Sequence, residues 1–215
     1  MSIKTITLYH GNPSANFKPY YGGGMDYHDY GKGLYCTEDL NSAKEWACQW
    51  EHLEASYVYQ YTLDLAGLNI LNLLNHPPEV ALAILAERRY EKKEPPLRKA
   101  RRIKFIEKYG MDISPYDLVI GWRADDKYFQ FLRDFLRMDI SIESTIKAFH
   151  LGELGAQAVI LSQKAYNQTA LSAQMEISGE AYLEYKNQYH TKLNKASTIL
   201  EAVRTTEGKF INEII

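Results

Sequence analysis

The sequence predicts an α+β fold. Short runs rich in β-branched and aromatic residues, such as YVYQYTL from Tyr57 to Leu63 and YDLVIG from Tyr116 to Gly121, read as strands. Longer stretches with apolar residues at three- and four-residue spacing lie between them and read as helices. The two kinds of segment do not alternate in the regular rhythm that a doubly wound sheet requires. With 215 residues, 46% of them hydrophobic, the chain is long enough for one well-cored domain, or for one domain with a helical appendage.

Taken in order, Ile3 to His10 forms an opening strand, ended by the turn signal Gly11-Asn12-Pro13-Ser14. From Asn12 to Tyr30 there is no sustained period, only glycines, prolines and tyrosines. A loop of that length in a compact domain usually carries function. Leu34 to Cys36 is a brief strand. A helix follows with Leu40, Ala43, Trp46, Trp50 and Leu53 on one face. After the strand at Tyr57 to Leu63 comes a leucine-rich segment, Asp64 to Asn75, with no clear period. Pro77-Pro78 opens a helix to about Glu91, since proline is tolerated in a first turn. Glu94-Pro95-Pro96 interrupts it, and a further helix runs to Tyr109.

Tyr116 to Gly121 is apolar enough to be a central strand. It leads into a helix bearing Phe129, Leu132, Phe135 and Leu136, and then one capped by Ser141 and ended by Gly152. Gln157 to Ser162 is a fourth strand, and Leu171 to Ile177 a fifth. Ala181 to Val203 is a terminal helix with Tyr182, Tyr185, Tyr189, Leu193, Ser197 and Leu200 along one stripe, packing on the body or on a partner.

Net charge is −2, so the molecule as a whole is not an electrostatic nucleic-acid binder. Nine basic residues against two acidic ones between Arg88 and Lys104 form a local exception. A solvated helical surface is the simpler account of that span, and a nucleic-acid contact the sharper one. Two cysteines, Cys36 and Cys48, are too few for a disulfide framework. The six histidines show no metal-ligand spacing, with each other or with the cysteines, so no metal is expected. No signal segment and no apolar run near eighteen residues is visible. A cytoplasmic protein without membrane contact is therefore expected.

The stretch YGKGLYCTEDLNSAKEWA, Tyr30 to Ala47, is the densest in candidate chemistry. Gly31 and Gly33 let the backbone approach a ligand closely. Alternation along the strand turns Tyr35 to one face and Cys36 to the other, where Cys36 packs. Lys32 could approach a phosphate, although a lysine in a turn is usually only solvated. Ser42 with Glu45 fits a capping box. Asp125 and Asp126 follow a central strand directly. Either can cap the next helix or point into a cleft, with Asp126 preferred for the second.

LYHG at 8–11 followed by this stretch resembles the first two motifs of the His-Tyr-Glu ADP-ribosyltransferases, the branch of diphtheria toxin and the poly(ADP-ribose) polymerases. A closer resemblance is to a bacterial domain family of uncharacterised function with an ADP-ribosyltransferase-like fold. It extends through YDLVIGWRADD, Tyr116 to Asp126, and LGELGAQAVILSQKA, Leu151 to Ala165. The resemblance implies a split pair of small β-sheets with flanking helices, spanning residues 1–177 with a basic helical insertion at about 77–110. Residues 178–215 are then a C-terminal helical tail.

It further implies NAD as a substrate, held in a cleft between the sheets. His10 would hydrogen-bond the adenine-side ribose, the Gly11 backbone would hold the carboxamide, and Tyr35 would stack on the nicotinamide. Gly33 would let that ring come close, and Ser42 would sit beside it. The family's third residue is a glutamate, whose place is taken here by Gln157. A glutamine can accept a hydrogen bond from a ribose hydroxyl but supplies neither full charge nor a general base. Asp125, Asp126 and Glu153 are the carboxylates that could compensate. The implied activity is mono-ADP-ribosylation of a macromolecular acceptor, protein or nucleic acid, by a toxin or effector that an antitoxin or inhibitor protein would restrain. A non-catalytic NAD- or nucleotide-binding module and an NAD glycohydrolase are the alternatives.

Overall fold

The computed structural model describes residues 4–50, 54–90, 93–124, 129–151, 155–204 and 207–215. In chain order its first half runs β1 (Thr5–Asn12), β2 (Leu34–Cys36), α1 (Leu40–Ala47), β3 (Ala55–Asp64), β4 (Ile70–Asn72) and a 3₁₀ turn (Leu73–Asn75). Then come α2 (Pro78–Arg88), α3 (Pro96–Tyr109), β5 (Leu118–Trp122), α4 (Phe129–Arg137) and α5 (Ile142–Leu151). The chain closes with β6 (Ala156–Ile160), α6 (Gln163–Asn167), β7 (Thr169–Ser178), α7 (Gly179–Val203) and α8 (Ile211–Ile214).

The strands form two small sheets. One is antiparallel, in the order β1-β3-β7, and the other is mixed, in the order β2-β6-β5-β4 with β4 parallel to β5. Among the described residues, the sheets pair with each other only through an isolated antiparallel bridge between Tyr9 and Thr37. Strand periodicity then sorts the side chains. Leu8, Tyr59, Tyr61 and Leu63 meet Leu34, Cys36, Leu118 and Ile160 in one apolar cluster shared by both sheets. Tyr35 and Val159, one residue out of phase, belong to a larger cluster with helices α2 to α5, α7 and α8.

Helix boundaries follow local chemistry. Asp39 caps α1, its carboxylate accepting from the Ser42 amide at 2.7 Å. The expected Ser42–Glu45 capping box is therefore absent: Ser42 sits three residues inside the cap, and Glu45 is spent on an ion pair with Lys192. α1 also ends at Ala47, which leaves Trp50 48% exposed instead of on the buried face; Leu53 lies outside the described residues. Proline occupies the first turn of α2 as expected, and also that of α3, where Pro95-Pro96 reads in the sequence only as an interruption. The Ser144 amide donates to the Ser141 hydroxyl at the start of α5. The segment without a clear period holds a three-residue edge strand and the 3₁₀ turn, too short to show one.

The basic helical segment is only partly a solvated surface. Arg98 and Arg102 are buried and share Glu94, at 3.2 and 2.9 Å. Helix α7 likewise packs on the body. Its buried stripe is Tyr182, Tyr189, Leu193, Ala196, Ile199 and Val203, so Ser197 and Leu200 give way to neighbours one residue earlier. Polar contacts then tie it to α1 and the residues just after it: Lys192 to Glu45 at 2.7 Å, the Tyr189 hydroxyl to Gln49 at 2.9 Å, and Lys44 to the Tyr185 hydroxyl at 3.1 Å.

Candidate functional site

A cleft of about 590 Å³ opens beside the junction of the two sheets, within the range of small-molecule sites. Three strands bring His10 (β1), Tyr35 (β2) and Gln157 (β6) to it, together with Gly11 and Gly33. Ser42 lies elsewhere, in a polar groove of about 740 Å³ between α1 and α7 that also contains Asp39, Glu45 and Lys192. Lys32 pairs with Asp26 at 3.3 Å and is 47% exposed, a solvated turn lysine. Asp125, Asp126 and Glu153 lie outside the described residues.

The tautomer of His10 follows from its partners. Nδ1 lies 2.7 Å from the Tyr35 carbonyl oxygen, which can only accept, so Nδ1 carries the proton. Nε2 is then an acceptor, approached by the Asn12 amide at 3.3 Å. Burial pushes the imidazole pKa below its ordinary value, against the opposing pull of the Tyr35 carbonyl, so His10 is neutral. Phe17 stacks on its ring at 4.5 Å. One hydrogen bond thus couples His10 to the strand that presents Tyr35.

Tyr35 is anchored at its hydroxyl. That oxygen donates to the Gly31 carbonyl at 2.7 Å and accepts from the Tyr30 amide at 2.9 Å. Burial raises its pKa far above the ordinary tyrosine value, so the phenol stays neutral. With the hydroxyl engaged, the ring is what Tyr35 contributes to the cleft. His28 meets that ring edge-on at 5.3 Å.

A carboxylate does stand beside Gln157, and it is Asp29. Gln157 donates through Nε2 to Asp29 Oδ2 at 2.7 Å and to the Trp122 carbonyl at 3.0 Å. Asp29 also accepts from the Ala124 amide at 3.0 Å and pairs with Arg89 at 2.9 Å. It is only 7% exposed. Burial raises its pKa above the ordinary carboxylate value, while Arg89, the Ala124 N–H and the Gln157 amide pull it back.

The placement of Asp29 has a local cause. Its neighbour Tyr30 is buried with its hydroxyl on the Trp122 carbonyl at 2.9 Å. Its ring crosses Gly121, where an added Cβ would overlap the Tyr30 hydroxyl. Gly121 faces Gln157 in the β5–β6 ladder, so the missing side chain on one strand admits the carboxylate to the other.

Asp29, His28, Arg89 and Arg123 were not singled out from the sequence, yet all line the cleft. Asp29 and His28 sit in the aperiodic segment before Tyr30, where only the loop's length hinted at function. Arg89 leaves the end of α2, inside the basic span, to reach Asp29 and lie over Phe129 at 4.9 Å. Arg123 is buried over Trp46 at 4.4 Å. Among the described residues, no cluster of three or more His, Cys, Asp or Glu side chains could hold a metal ion, and no helix is long and apolar enough to cross a membrane.

Among the described residues, two small sheets joined at a bridge, with a polar-floored aromatic cleft beside the joint, define an α+β protein with a composite cleft. A family model described as a protein of unknown function, DUF3990, matches residues 6–171, and the chain belongs to that family. The match takes in His10, Asp29, Tyr35 and Gln157. No curated protein and no solved structure matches the chain.

Proposed function

We propose that this protein is an NAD-dependent mono-ADP-ribosyltransferase acting on a macromolecular acceptor. The observation that carries the reading is the convergence of His10, Tyr35 and Gln157, from three separate strands, on one cleft. Its volume, its aromatic walls and its few buried polar groups suit a dinucleotide with one flat reactive ring. The chemistry required is cleavage of the ribose–nicotinamide bond, which passes through an oxocarbenium-like sugar. In this reading the Tyr35 ring orients the leaving nicotinamide, neutral His10 accepts a hydrogen bond from a ribose hydroxyl at Nε2 in place of the Asn12 amide, and Gln157 accepts a hydrogen bond from another at Oε1. None of these groups supplies full negative charge, which suits an acceptor that is already nucleophilic.

Incubation with labelled NAD and a cell lysate tests the proposal. Label should pass to protein or nucleic acid, and His10→Ala and Tyr35→Ala should abolish the transfer. Nicotinamide release without a labelled macromolecule would instead make the protein a glycohydrolase. A second reading, a non-catalytic NAD-binding module, draws support from the fact that Arg89 neutralises the described carboxylate beside Gln157. Calorimetric NAD binding with no nicotinamide release would select it.

A further inference from the structure

We infer that Asp29 is the positioning residue of the cleft: it turns Gln157 so that the amide offers a substrate hydroxyl an acceptor and no donor. The inference rests on the NAD-site reading above and deepens it.

An amide side chain can present either of its ends, and its neighbours decide which. Here Nε2 lies against Asp29 Oδ2 at 2.7 Å and the Trp122 carbonyl oxygen at 3.0 Å. Both neighbours are acceptors only, so both amide protons are consumed. Rotating the amide by half a turn would set Oε1 against two acceptor oxygens and take a donor from each of them, at about 1–3 kcal/mol per contact. That is enough to populate one orientation almost exclusively. Oε1 accepts no hydrogen bond among the described residues, and it is the polar atom Gln157 has left for the cleft it lines.

Charge is not the contribution of Asp29. Its carboxylate is paired with Arg89 at 2.9 Å, so the field reaching the cleft is that of a pair rather than of a free anion. What Asp29 imposes is direction. The same contact accounts for an amide at this place. A glutamate at 157 would bring a second carboxylate to hydrogen-bonding distance of Asp29, and two such groups cannot both ionise. A glutamine keeps the acceptor and avoids the clash. The ligand class that follows is a sugar with a free hydroxyl to donate, such as the nicotinamide-side ribose.

The test compares NAD with analogues lacking the 2′- or the 3′-hydroxyl of that ribose, by calorimetry on the intact protein. Wild type should bind NAD about tenfold more tightly than one of the two analogues, the scale of one neutral hydrogen bond. Asp29→Ala, which leaves only the Trp122 carbonyl to orient the amide, should lower that ratio. Asp29→Asn, whose Oδ1 can still accept from Gln157, should preserve it. A folded Asp29→Ala that discriminates as well as wild type overturns the proposal, as does a folded Asp29→Asn that does not discriminate.

Side-chain amide exchange of Gln157, followed by NMR without ligand and assigned by its disappearance in Gln157→Glu, gives a second readout. The protons should be protected in wild type and exchange at least about tenfold faster in Asp29→Ala. If that variant does not fold, fast exchange in wild type would be the result that ends the idea. A wild type that binds no NAD removes the functional reading; protection that depends on Asp29 would then still sustain the positioning of Gln157, and unchanged protection would refute it.

Discussion

Gln157 was the one residue of the site whose identity departed from the resembling family, and its surroundings explain it. The sequence shows a glutamine where the resemblance to the His-Tyr-Glu enzymes implies a carboxylate. Only the fold shows that a carboxylate from 128 positions earlier is already bonded to it. His10 is the residue whose chemistry is best determined, because its proton must sit on Nδ1. Its folded pKa lies below the unfolded value of 6.5. Folding therefore favours the neutral form, and this contribution to stability is full above pH 6.5 and lost as pH falls toward the folded pKa. Urea unfolding of wild type at pH 7.5, 6.5 and 5.5 should show falling stability, and His10→Gln should flatten part of that slope. Equal slopes in the two proteins would show that His10 does not titrate as described. Asp29 has the opposite sign, since a raised folded pKa favours folding at low pH and the contribution fades as pH rises.

At the scale of elements, the glycines predicted to admit a ligand have a prior duty. An added Cβ at Gly11 would overlap the Ala43 carbonyl oxygen and the Ala47 amide nitrogen, so β1 lies directly on the backbone of α1. Gly33 is similarly close to the Ile160 carbonyl and the Val159 side chain. Gly11→Ala should cost about 1–3 kcal/mol or more through overpacking. Chemical denaturation measures this directly, and an unchanged midpoint would mean that α1 can slide away. Loss of NAD binding in that variant would consequently report packing before it reported contact. The basic helix teaches the same caution. Arg98 and Arg102 are held by Glu94, Arg89 belongs to the cleft and Arg101 donates to Asn212, so at least four of the nine cations in that span bond within the molecule.

For the whole molecule, the boundary drawn at residue 177 separates segments that share one core. Leu193, Ala196, Ile199 and Val203 of α7 join the cluster built by α2 to α5 on the mixed sheet. Each buried side chain of this size contributes about 1.5–3 kcal/mol, the alanine less, and total stability of a domain is only about 5–15 kcal/mol. A chain cut after Ile177 should therefore be aggregated or unfolded. Circular dichroism and size-exclusion chromatography would check it, and a monomeric, cooperatively melting fragment would show that residues 178–215 are dispensable.

Sequence by itself determined the local structure. Period-two runs gave strands within a few residues of those observed, and Pro78 and Ser141 marked helix starts correctly. Tyr35 and Cys36 were assigned to opposite faces by alternation alone. The resemblance named His10, Gly11, Gly33, Tyr35 and Gln157 together, and they line one cleft. Tertiary structure decided everything that depends on distance between remote segments. Asp29 lay in a loop without period, and no spacing rule relates it to Gln157. Its position follows from the Tyr30 ring crossing Gly121, a packing event that periodicity does not encode. Ser42 did not join the others: it lines the polar groove between α1 and α7. Local propensity is written in neighbours along the chain, whereas a binding site is written in neighbours across it, and those are set by which side chains the core can accommodate.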